Sequence, residues 1–354
     1  MSGTLALYDT ATLIGVMQRP DNEPDGFWLN FFPREVLSTT EEIMWDDLGD
    51  RDRRLAPFVA PMAQGRVMRD KGFVTKSFKP AYVKPKHVVS PHKAIHRRPG
   101  EAIGGSLTPM QRWDAAVAAN MMAERAMCER RFDWMACQAI ANGAVVVSGE
   151  DYPEQYVDFG RDPSLTDVLT GTARWGESAA NPLLDIRTMR QTAFTLGGYP
   201  VNDLIFGSEA WERFTGTASV AALLSNQARG STSDWQAPVM SDGRPFALEG
   251  TIGNANAGPG GLLRLWTYAN YYEDTLGGPR VSYIHENDVI GVGNPMGVQA
   301  FGAIMDADAG LAPARMFPKM WKENDPSVVY TMTQSAPLMV PMNPNSTFRI
   351  RVHD

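Results

Sequence analysis

Cysteine and histidine are scarce in this sequence, at two and five in 354 residues. Cys128 and Cys137 lie in one helical pattern, ~13 Å apart along its axis, too far for a disulfide. A disulfide framework is excluded, which leaves two small buried hydrophobes in a reducing compartment. No run approaches the ~18–20 apolar residues of a membrane span. Met1–Gln18 has no cationic start and meets Asp9 before its apolar run ends, so it is not expected to act as a secretory signal. No Gly-x-Ser-x-Gly elbow occurs, and neither cysteine has a plausible histidine partner. The glycine-rich Gly253–Gly261 lacks the Gly-Lys-Ser/Thr ending of a phosphate loop and reads as a flexible loop. In Gly291–Gly297, Pro295 blocks the helix entry that a dinucleotide site needs. Asp306–Gly310 lacks the twelve-residue calcium loop and reads as a polar turn. His87, His92 and His96 share a cation-rich, non-helical stretch without cysteine, which disfavours zinc. The expectation is a protein that is not an enzyme and uses no cofactor or metal.

What is present is an uneven distribution of charge. Between Arg66 and Arg98 stand ten Lys or Arg and a single acid, Asp70, a net of +9. The whole chain carries −7, so the remainder holds −16. One segment is electrostatically complementary to everything else. With 44% hydrophobic and 21% charged residues the chain is globular, and its length suits two packed lobes or one elaborated domain.

The local signals arrange themselves in order. Thr10–Met17 suits a short helix. Leu29–Leu48 sets aromatics in an irregular frame that needs another element to pack on. Ala56–Val89 reads as strands with breaks, including a hairpin arm turning near Asp70–Gly72. Pro80, Pro85 and Pro91 exclude a central strand position. An arm of ~15 residues a side reaches ~50 Å, too far to fold back into a compact domain. Gly104-Gly105 forms a hinge. Thr108, Pro109 and Gln111 form a capping box with proline at the first helical position, and the helix meets no breaker until Gly143, about 34 residues later. A hairpin over Ala144–Gly160, a helix over Asn181–Gly198 and a strand with a Ser208-capped helix over Asp203–Phe214 follow. Strands then fill Gly261–Asp274, Arg280–Gly293 and Pro326–Val352, the last split by Pro337 and Pro341.

The basic arm suits docking on the acidic body of a second copy. The candidate intersubunit residues are Arg66, Arg69, Lys71, Lys76, Lys79, Lys84, Lys86, His87, Arg97 and Arg98, with Gly104 and Gly105 as the hinge. A solvated basic face and a nucleic-acid contact are the alternatives at this stage.

Four stretches carry a resemblance: FFPREVLSTTEEI (Phe31–Ile43), FKPAYVKPKHVVSP (Phe78–Pro91), GEDYPEQYVDFGR (Gly149–Arg161) and the long run Asp306–Pro344 with its QSAPLM core. In them the chain resembles the lambda-type major head proteins of tailed phages, which have the Hong Kong 97 fold. The resemblance implies an α+β fold with an N-terminal arm (1–55), an extended E-loop hairpin with flanking strands (56–104) and a peripheral domain with a long spine helix (105–160). An axial α/β domain (161–325) and returning strands of the peripheral domain (326–354) complete it. It further implies hexamers and pentamers tiling an icosahedral shell around double-stranded DNA, assembled in the bacterial cytoplasm and ending in the virion. The implied partners are a separate scaffold, a portal and a trimeric decoration protein, with no membrane. An encapsulin-like compartment shell and an α/β enzyme with a basic substrate arm are the competing classes.

Overall fold

The computed structural model describes residues 7–17, 26–47, 54–62, 64–65, 67–68, 72, 74–97, 101, 107–149, 152–220, 245–252, 262–325 and 327–354. Arg66, Arg69, Lys71, Arg98, Gly104, Gly105, the expected turn at Asp70 and Lys71, and the loop 253–261 lie outside them.

The longest element is helix α3, Pro109–Asn142, and both of its ends are set by local chemistry. Thr108 Oγ1 accepts from Gln111 N at 3.3 Å, and Gln111 Oε1 accepts from Thr108 N at 2.8 Å. Pro109 suits the first turn, where no N–H is needed. Gly143 ends the helix at φ +67°, a conformation costly for residues with a Cβ. Thirty-four residues span ~50 Å, so one helix serves two cores. Its first half buries Trp113, Val117 and Met121 with Leu13, Met17, Val89 and Val329; its second half buries Phe132, Met135 and Ile140 with Trp28, Phe301 and Met339.

Helix α1 (Thr10–Met17) lies on the first half of α3. A 3-10 turn, Trp28–Phe31, seats the N-terminal segment on the second half, because Asp133 Oδ1 accepts the N–H groups of Trp28 (2.9 Å) and Leu29 (3.2 Å). The aromatics of Leu29–Leu48 find there the packing partner that their composition requires. Strand β1 (Arg34–Leu37) follows, then β2 (Ile43–Asp47), which pairs antiparallel with β3 (Val74–Phe78). The partner of β3 therefore comes from upstream of Ala56, and Leu55–Met62 runs without strand structure. Strand β4 (Lys86–Val89) and a short helix α2 (Pro91–Ile95) lead toward α3. The extended reading of this stretch missed α2, which Pro91 opens at its first position.

Beyond α3 the hairpin forms as expected from β5 (Ala144–Gly149) and β6 (Tyr152–Asp158). The α/β lobe is a sheet ordered β7-β18-β13-β8-β10-β9, from Thr166–Val168, Thr347–Arg351, Asp288–Val292, Asp203–Phe206, Leu263–Tyr268 and Phe246–Ile252. Helices α4 (Pro182–Gly197) and α5 (Ser208–Gly216) belong to this lobe. Gly207, not Ser208, occupies the cap of α5, and no side chain caps it. Strand β8 is buried on both faces: Leu204 and Phe206 enter the core of the lobe, while Ile205 points to the core shared with α3. Gly291 lies opposite Phe348, whose ring would meet a Cβ there at 2.2 Å.

The remaining strands are β11 (Tyr271–Glu273) paired with β12 (Arg280–Ser282), β14 (Gly297–Phe301), β15 (Phe317–Asn324), β16 (Ser327–Gln334) and β17 (Pro337–Pro341). The C-terminal return is divided among three sheets. Strand β16 joins β15 and β4, β17 joins β14, and β18 enters the six-stranded sheet. Pro337 and Pro341 stand at the ends of an edge strand, where a missing N–H is tolerated.

Candidate assembly surfaces

The base of the arm is anchored. Ile43 and Trp45 of β2 are buried, Trp45 lying 6.0 Å from the Phe159 ring, while Met44 on the other face is exposed. Thr75 Oγ1 donates to Asp46 Oδ1 at 2.7 Å across the pair. Lys79 forms an ion pair with Glu41, which raises the lysine pKa above its ordinary value. Beyond this base the chain turns apolar and unprotected. Leu55 is 90% exposed, Phe58 106%, Met62 99% and Val67 89%. Single exposed hydrophobes are ordinary, but four such side chains within thirteen residues leave an unusually apolar surface in water.

The sequence-predicted cations divide by position. Lys76 lies within β3, opposite Trp45 of β2, and Lys79 follows the end of β3. Lys84 lies 4.7 Å from the Tyr82 ring. Lys86 sits 3.7 Å from the Tyr330 ring and 5.1 Å from that of Trp321, so its charge is already engaged by aromatic faces on the neighbouring strands. His87 Nδ1 lies 3.1 Å from Glu124 Oε1. Arg97 donates to the Glu101 carbonyl.

Residues that the sequence reading passed over hold the parts together. Glu124 of α3 is fully buried, and its oxygens accept from Thr331 Oγ1 (2.7 Å) and Thr333 Oγ1 (2.9 Å) of β16. The spacing Val117, Met121, Glu124, Cys128 placed it on the inward face, a legible but neglected signal. Arg315 reaches Glu129 on α3 (2.8 Å), Glu35 on β1 (3.2 Å) and Gln299 on β14 (2.8 Å), drawing three elements together. Among the described residues, no group of three or more His, Cys, Asp or Glu could hold a metal, and no helix is long and apolar enough to cross a membrane.

A long helix serving two cores, an anchored arm and an α/β lobe that shares one of those cores define a capsid subunit. The same fold occurs in the putative capsid protein of a prophage of Escherichia coli CFT073, with a TM-score of 0.72 and 22% identity over 98% of this chain and 99% of that one. The chain belongs to the family Phage major capsid protein E, whose pattern matches residues 9–352. It is 27% identical over 356 residues to the major capsid protein of Escherichia phage lambda, covering 98% of this chain and 100% of that protein. It is 28% identical over 358 residues to that of Enterobacteria phage P21, with the same coverage. It is thus a structural protein of the tailed-phage head, and the shell that it forms is a multimer of this chain.

Proposed function

We propose that this chain closes into an icosahedral head of hexamers and pentamers around double-stranded DNA. The observation that carries this reading is the apolar stretch from Leu55 to Val67, which a single copy leaves in water. In the assembled head the arm, as the E-loop, lies across a neighbouring subunit. Apolar burial supplies most of the affinity, and the cations set register and approach. Lys76, Lys79, Lys84 and Arg97 serve that role, together with Arg66, Arg69, Lys71 and Arg98, which lie outside the described residues. Lys86 and His87 contribute mainly by holding β4 on its own subunit. The six-stranded lobe is the axial domain, meeting its copies at the five- and six-fold centres, and Gly104-Gly105 lets the arm change angle. A scaffold guides closure in the host cytoplasm, a portal takes one vertex and a trimeric decoration protein reinforces the outside. The remaining negative charge keeps packaged DNA from sticking to the wall.

Electron microscopy of the purified chain, with and without a co-expressed scaffold, tests this. Closed particles of uniform size, or discrete hexamers and pentamers, are expected. A population of monomers and dimers under both conditions would sink the reading.

A further inference from the structure

His92 and His96 have no role in the shell reading, and the fold changes what they can do. Along an extended chain, residues four apart stand ~13 Å from one another. Here the short helix α2 winds the stretch instead, and the His96 N–H closes its last turn on the His92 carbonyl at 3.1 Å. Positions four apart on a helix are neighbours on one face. Both rings are exposed, with centroids 3.9 Å apart and the two Nε2 atoms 2.9 Å from each other. Ala94, between them in the chain, is buried in the core that Trp113 of α3 also enters, so the other side of the turn is seated. The neighbouring cations are engaged by backbone: Lys93 Nζ donates to the Val88 carbonyl at 3.0 Å, and Arg97 to the Glu101 carbonyl. Solvent screens much of the repulsion that remains at this exposed position.

We propose that His92 and His96 form a two-point site for a divalent transition-metal ion, Cu²⁺ or Ni²⁺, with water in the remaining positions. Two nitrogens each ~2.0–2.1 Å from one ion stand ~2.9 Å apart at a right angle and ~3.4 Å apart at the tetrahedral angle. The observed 2.9 Å matches the right angle, which square-planar and octahedral ions prefer and tetrahedral zinc does not. A turn of each ring about its soft χ2 brings both Nε2 lone pairs onto the ion. Among the described residues no group of three or more His, Cys, Asp or Glu forms, so no carboxylate joins the pair. Oxygen-seeking ions such as Mg²⁺ and Ca²⁺ therefore find no ligand that suits them. A five-residue helix does not persist in an unfolded chain, so the ion binds the folded state and stabilises it. It clamps the turn that carries the chain from β4 toward α3.

Calorimetric titration of the purified full chain with CuCl₂, NiCl₂ and MgCl₂ tests the site. One Cu²⁺ per chain is expected, with Ni²⁺ weaker at the same place and Mg²⁺ not bound. His92→Ala and His96→Ala should each weaken binding about tenfold or more, since even an outer partner of a metal ligand is worth that much. His353→Ala, which removes a histidine elsewhere, should leave binding unchanged. His96→Ala combined with Arg97→His restores the histidine count but sets the pair five residues apart, off one face, and should bind no better than His96→Ala alone. Circular dichroism checks that each variant is folded. Electron paramagnetic resonance of the Cu²⁺ form should show two nitrogen ligands in a tetragonal field, and Cu²⁺ should raise the melting temperature of the unaltered chain but not of His92→Ala. Absence of binding at millimolar Cu²⁺, or affinity that survives both alanine variants, would overturn the site. So would recovered affinity in the shifted pair, which would trace binding to histidine content and not to geometry.

Discussion

Arg161 illustrates how one residue completes an element to which it does not belong. The last turn of α3 carries no basic side chain, so beyond the Gly143 N–H on the Ala139 carbonyl the negative end of its dipole has no local answer. Arg161 supplies it from beyond the hairpin: Nη1 donates to the Ile140 carbonyl (2.8 Å), and Nη2 to the Ala141 carbonyl (2.9 Å) and Thr166 Oγ1 (2.6 Å). Burial, and then the nearby Arg349, lower its pKa to about 10, which still leaves it charged at neutral pH. The same side chain crowds Gly143, where a Cβ would fall 2.6 Å from Arg161 Cβ, so glycine there serves both backbone angle and space. Arg161→Met should cost about 2–4 kcal/mol, since it unpairs buried carbonyls. Urea unfolding of the isolated subunit measures this, and an unmoved midpoint would dismiss the capping role.

At the scale of elements, Glu124 is where α3, β16 and β4 meet. It accepts from Thr331 and Thr333 on β16 and faces His87 on β4, while Asn120 on its own helix reaches Thr331 Oγ1 at 3.4 Å. Burial raises its pKa above the ordinary 4.5, against the opposite pull of these hydrogen bonds and of His87. A raised value means that the fold holds this proton better than the unfolded chain does. The contribution is whole below pH 4.5 and is lost as pH rises through the raised value. Glu124→Gln should therefore flatten the decline in melting temperature of the isolated subunit as pH rises above 4.5. Identical slopes in calorimetry would refute this assignment. Glu124→Ala should lower stability by about 2–4 kcal/mol at every pH, because two buried hydroxyls lose their acceptor.

At the scale of the molecule, the balance of −7 hides a chain divided into a positive segment and a body of −16. Exposed ion pairs contribute ~0–1 kcal/mol each and are screened beyond ~10 Å at 0.1 M salt. Apolar burial is not screened. Charge should therefore govern the rate at which subunits meet, and apolar contact the persistence of the closed shell. Raising salt from about 0.05 to 0.5 M should slow assembly severalfold while leaving finished shells intact. Light scattering follows the first and electron microscopy the second; shells that fall apart at high salt would show that ion pairs carry the affinity.

Whatever is set within a few residues was legible along the chain. Both ends of α3 follow from Thr108, Pro109, Gln111 and Gly143, and the β5–β6 hairpin and α4 follow from equally local turn and cap chemistry. The polarity of charge was legible, because it requires only counting. Tertiary structure alone decided which distant segments meet. Strand β3 pairs with β2 across 26 intervening residues, and the sequence offered nearer segments of similar character. Strands β16, β17 and β18 follow one another with similar composition yet enter three sheets, each taken where its apolar face completes a core. The predicted arm cations Lys86 and His87 became partners of Tyr330 and Glu124 only once β4 lay against β16. Long-range pairing carries a loop-closure cost that depends weakly on length, so sequence separation alone does not rank the alternatives. The choice falls to the packing of whole faces, which no local window contains.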